Sequence, residues 1–126
     1  MLDHIGLAAS DLDRSKAFYT AALAPLGYRI GKDFGVAVGF GVAAGASDAA
    51  GDFWISRGAA PAPGIHVAFS AASRAQVDAF YQSAIAAGAK DNGPPGLRPH
   101  YHANYYATFV LDPDGYNIEV VCHAPV

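Results

Sequence analysis

The chain has 126 residues, of which 52% are hydrophobic and 15% charged, and its formal net charge is -3. That length and balance suit one globular domain with a real core and exclude a disordered chain. No Lys/Arg cluster is present and every apolar run falls short of the roughly 20 residues of a membrane helix, so neither nucleic acid nor membrane is expected as a partner.

The N-terminal MLDHIGLAAS lacks the basic start of a signal peptide. Residues 4–9 read as a short strand, after which Ser10 or Asp11 caps a helix over 11–23 by offering an oxygen to an early unpaired N–H. Strands follow at 27–31, 35–42 and 52–56, broken by GKDFG and by AAGASDAAGD. RGAAPAPG, residues 57–64, is a connector: its prolines block helix and its small residues bury little.

A second set begins with a strand at 65–70. Ser73 caps the next helix, and Gln76 completes a capping-box pattern. Val77, Phe80, Tyr81, Ala84, Ile85 and Gly88 recur at the spacing of a buried helical stripe. Strands at 89–92, 104–111 and 116–122 follow, the last two joined as a hairpin by Asp112-Pro113-Asp114-Gly115. Between them, NGPPGLRPHYHA (92–103) is read as a loop outside regular structure, yet it carries Arg98, His100, Tyr101 and His102. The lone Cys122 permits no internal disulfide and suits a reducing cytoplasm.

The two sets are one pattern repeated. At an offset of 62 residues His4 falls on His66, Ala9 on Ala71, Ala17-Phe18-Tyr19 on Ala79-Phe80-Tyr81 and Ala22 on Ala84. The expected organisation is a single α+β domain over 1–126, made of two tandem βαβββ modules, 1–57 and 64–126. Histidines at the same point of two equivalent units can face each other, and facing imidazoles are a natural metal site.

On the last strand, GYNIEVVCH, alternation puts Asn117, Glu119 and Val121 on one side and Ile118, Val120 and Cys122 on the other. A carboxylate among such neighbours is costly unless paired, solvated or bound to a cation; the bland alternative is an edge strand with Glu119 in water. Together, His4, His66 and Glu119 match the preferences of a divalent first-row metal. His102, close to the following strand, is the candidate for proton transfer, with Glu119 as the second catalytic group. Trp54, Arg98, His100, Tyr101 and Tyr105 are the candidate substrate contacts, and the two AFY triplets are core packing first.

These paired βαβββ units, the DHIGL and GIHVAF strands and the closing DPDGYNIEVV resemble the vicinal oxygen chelate superfamily, which includes glyoxalase I, bleomycin-resistance proteins and extradiol dioxygenases. The resemblance covers essentially the whole chain. It implies curled mixed sheets around a cavity, and a divalent ion (Zn, Ni, Fe or Mn) on His4, His66 and Glu119 with a small substrate bearing vicinal oxygens. It also implies a homodimer, some relatives building each site from both chains. The fourth ligand place falls on GDFWISRG, which offers Phe53, Trp54, Ile55 and Ser56, with Asp52 too early. That departure leaves lyase or isomerase, dioxygenase and metal-free aromatic or antibiotic binding all open.

Overall fold

The computed structural model describes residues 2–42, 51–60 and 64–126; the turn AAGASDAAGD lies largely outside them, as does part of the connector. The first half runs through strand β1 (Ile5–Ala9), helix α1 (Leu12–Ala22), a 3-10 turn at Ala24–Leu26, and strands β2 (Tyr28–Asp33), β3 (Ala37–Val42) and β4 (Phe53–Arg57). The second half has β5 (His66–Ser70), α2 (Arg74–Ala86), β6 (Lys90–Asp91), β7 (Gly96–Leu97), β8 (Tyr106–Leu111) and β9 (Asn117–Cys122).

Both helices start where side chains satisfy their first N–H groups. Asp11, not Ser10, caps α1 by accepting from the Arg14 N–H, and Ser73 caps α2 by accepting from the Gln76 N–H. Gln76 reaches back to the Ala72 N–H at 2.8 Å, one residue ahead of the cap itself. Of the α2 stripe, Val77, Phe80 and Ala84 are buried, whereas Ile85 is exposed. It marks the rim of the apolar face, where the stripe turns to solvent.

The strands form two mixed sheets, curled rather than closed, ordered β1-β4-β3-β2 and β5-β9-β8-β6, with β7 also on β8. In each, the first strand runs parallel to the last and occupies an edge. The helices pack against each other, α1 also on β4 and α2 on β8 and β9, so the sheets lie outside the helix pair. One continuous core results, with Phe18, Tyr19, Phe40 and Phe53 from the first half meeting Phe69, Phe80, Ile118 and Val120 from the second. The turn after β8 clasps the halves together. Tyr19 hydroxyl donates to the Asp112 carboxylate, Ser10 to Asp114, and the Arg14 guanidinium to Pro113 O at 2.9 Å.

The segment 92–103 contains regular structure after all. Gly96 and Leu97 pair antiparallel with Ala107 and Tyr106, because the prolines stand just before and after the two residues that need the ladder.

Candidate active site

Strand β9 lies between β5 and β8, so Glu119 is not on an edge; it is 2% exposed. Its face is set by register: Ala68 and Phe109 flank it, with His66 opposite Asn117 one step along. His66 Nε2 lies 2.9 Å from Glu119 Oε2, and the Tyr105 hydroxyl donates to Oε1. Burial, then the hydrogen bond to Glu119, pushes the Tyr105 phenol up to about 12, so at neutral pH it stays a donor. Both oxygens of the buried carboxylate therefore have partners, which offsets its desolvation.

The spacing of these donors bears on a metal. Imidazole nitrogen and carboxylate oxygen bind divalent first-row ions at about 2.0–2.2 Å, so two neighbouring ligands stand about 3.4 Å apart around a tetrahedral ion and about 2.9 Å apart around an octahedral one. The His66–Glu119 separation of 2.9 Å is that of a hydrogen bond, and it also fits the octahedral spacing. That pair suits two neighbouring places around one ion.

His4 is elsewhere. It lies just ahead of β1 with Nδ1 2.7 Å from Asp3, while lining with His66 a cavity of about 350 Å³ beside the β1 and β5 edges. Tyr28, Asp52 and Phe69 are also on its wall, the Tyr28 hydroxyl donating to Asp52 at 3.2 Å. Among the described residues, no three His, Cys, Asp or Glu side chains gather to hold an ion. Two of the expected ligands are thus together and the third is apart.

Register also settles which residue stands where the first half should carry its carboxylate. Ala68 pairs with Glu119 and Gly6 with Trp54, and Gly6 follows His4 as Ala68 follows His66. Trp54 is the counterpart of Glu119. Its indole N–H donates to Gly51 O at 3.1 Å and its ring lies parallel to Phe34, centroids 6.0 Å apart. Gly51 has φ +108, and a Cβ there would meet Phe40 O at 2.2 Å, so only glycine permits this close turn.

The remaining candidates collect at the other end of the Glu119 face. Tyr105 stacks edge-on with Tyr101, His102 and His123, and His100 lies against Tyr101 at 4.3 Å. His102 Nε2 is 2.8 Å from His123 Nδ1, while the Asn104 N–H donates to His102 Nδ1. The proton of the pair consequently sits on His102 Nε2, pointing at His123. His123 was not anticipated. Reflecting the hairpin about its Asp112–Gly115 turn brings it beside Tyr105, one step beyond the Tyr106–Cys122 pair. Arg98 sits over the Phe109 ring, 5.5 Å from its centroid.

Residues 1–120 match the model of the Glyoxalase/Bleomycin resistance protein/Dioxygenase superfamily. Among solved structures the chain is similar to a glyoxalase/bleomycin resistance protein from Albidiferax ferrireducens, at 29% identity and TM-score 0.79, over 97% of this chain and 98% of that one. A glyoxalase-related enzyme from Fulvimarina pelagi shares the fold at 19% identity and TM-score 0.72, covering 97% and 87% of the two chains. So does a glyoxalase/bleomycin resistance protein/dioxygenase family enzyme from Burkholderia phytofirmans, at 16% identity and TM-score 0.73, covering 98% of each. No curated protein matches the chain.

Proposed function

Because the chain belongs to the Glyoxalase/Bleomycin resistance protein/Dioxygenase superfamily, we propose that it is a metal-dependent enzyme acting on a small substrate with vicinal oxygens. The observation that carries this reading is the His66–Glu119 pair, an imidazole set against a buried carboxylate, the two donor types that a divalent first-row ion takes. His66 and Glu119 hold the ion, with His4 as third ligand. Since His4 shares only a cavity with His66, and no three ligating side chains gather among the described residues of one chain, we take His4 to come from a second copy in a homodimer. When bound, such an ion acts as a Lewis acid on the substrate oxygens.

The chain's own residues then have separable tasks. Tyr105 fixes the carboxylate by donating to Oε1, leaving Oε2 toward His66. Glu119 is the group that takes a proton from the substrate, as lyase or isomerase chemistry requires. His102, bordering Tyr105, holds its Nε2 proton toward His123, so the two imidazoles are placed to pass a proton along the rim. Trp54, with Phe34, supplies a flat wall where a fourth ligand would otherwise stand. A reducing cytoplasm suits the buried, unpaired Cys122.

The test is metal content. Wild-type protein prepared without chelator should hold a stoichiometric divalent ion, and His66→Ala and Glu119→Gln should each lower uptake at least tenfold. Wild type with no such ion sinks the proposal. Trp54 in the carboxylate position favours a second reading, a metal-free binder of flat compounds. Under that reading an aromatic ligand quenches Trp54 fluorescence equally with and without chelator.

A further inference from the structure

Arg98 is a cation with unused donors. Nη1 donates to Gly96 O at 2.8 Å and Nη2 to Pro94 O at 2.9 Å, which braces the guanidinium without neutralising it. An arginine carries five N–H donors, so three stay free of these contacts. Among the described residues no carboxylate lies within ion-pair distance of it. The side chain is half-buried, and a partly desolvated cation gains more from an anion than one in bulk water.

Its position gives that charge a direction. The guanidinium covers Phe109, Phe109 stands opposite Glu119 in the ladder, and the His66 ring is 6.2 Å from Phe109. Arg98, Phe109 and the His66–Glu119 pair therefore follow one another across a single face. Tyr101 and Tyr105 add aromatic surface at its end.

We infer that Arg98 is an oxyanion-binding residue of this site, and that its ligand is a small molecule whose acidic group meets the free guanidinium N–H groups while its body extends along the face toward the His66–Glu119 pair. The inference rests on the proposal that ligand occupies the Glu119 face, and is independent of whether a metal does. A guanidinium fork suits carboxylate and phosphate oxygens alike, so the shared chemistry is the oxyanion.

Nitrogen-labelled protein, stripped of metal by chelator and then dialysed free of it, is titrated with sodium benzoate or inorganic phosphate against sodium chloride at constant ionic strength. Amide and arginine Nε signals are followed. Saturable shifts confined to residues 93–98 and 107–109 are expected with at least one oxyanion, and the arm that gives them identifies its kind. Binding should weaken at least tenfold in Arg98→Met. Arg98→Lys, which keeps charge without the fork and guards against a collapsed loop, should lie between. No saturable shift beyond chloride, or equal binding in Arg98→Met and wild type, overturns the inference; a mere loop brace would give that result. Glu119→Gln should keep the benzoate or phosphate shifts while losing metal, so failure of the metal reading and failure of this one are separately visible.

Discussion

Asp112 shows how one side chain can be essential to packing without belonging to the site. Its carboxylate accepts from the Tyr19 hydroxyl and from the N–H groups of Asp114 and Tyr116. Burial nevertheless wins over those hydrogen bonds and raises its pKa above the ordinary aspartate value. The folded state then binds a proton more tightly than the unfolded one. This group's contribution to stability falls as pH rises from about 4 through the raised value. Urea midpoints measured from pH 4 to 7 should therefore decline more steeply for wild type than for Asp112→Asn. Tyr19→Phe leaves a buried carboxylate oxygen short of a donor and should cost about 1–3 kcal/mol. Equal slopes would mean that Asp112 titrates as an exposed acid. The sequence marks these residues only as a turn and a helical stripe, because their meeting spans the two halves and has no local signature. His66 and Glu119 were more legible: each is a polar residue inside an apolar strand, and the offset between modules singles out the histidine.

Among the elements, helices, hairpin and the short strand expected at 89–92, which is β6 at Lys90–Asp91, were legible, and β7 was not. Caps, apolar spacing and the Asp112–Gly115 turn are chemistry within a few residues, whereas β7 is two residues that exist only because β8 runs beside them. The Trp54 position is of the second kind, since only parallel pairing of β1 with β4 tells which of four neighbours matches Glu119. The caps can be weighed directly. Asp11→Ala and Ser73→Ala each remove the acceptor of one early N–H and should each cost about 1 kcal/mol in denaturant unfolding. The two losses should add, the helices being capped by separate side chains. A cost near zero for Ser73→Ala would show that the Gln76 contact to Ala72 suffices to start α2.

For the whole molecule, the open edges of β1 and β5 are the feature to explain, since unpaired edge strands invite a partner. If His4 completes a site on a second copy, His4→Ala and Glu119→Gln chains lose metal alone but regain one intact site per mixed dimer. Co-folding the two variants should restore about a quarter of wild-type metal at equal mixing, because half the dimers are mixed and each has one of two sites. No recovery would place all three ligands within one chain or discard His4. The clasp at the Asp112 turn has a different bearing, on the order in which the chain is made. Tyr19 and Ser10 leave the ribosome well before their partners, which lie 93 and 104 residues further along at Asp112 and Asp114. The first βαβββ half therefore lacks these fastenings until the second half has been made. Although built from a repeated unit, the two halves are not interchangeable, because the fastening that each helix could have found within its own half is for α1 supplied by the other.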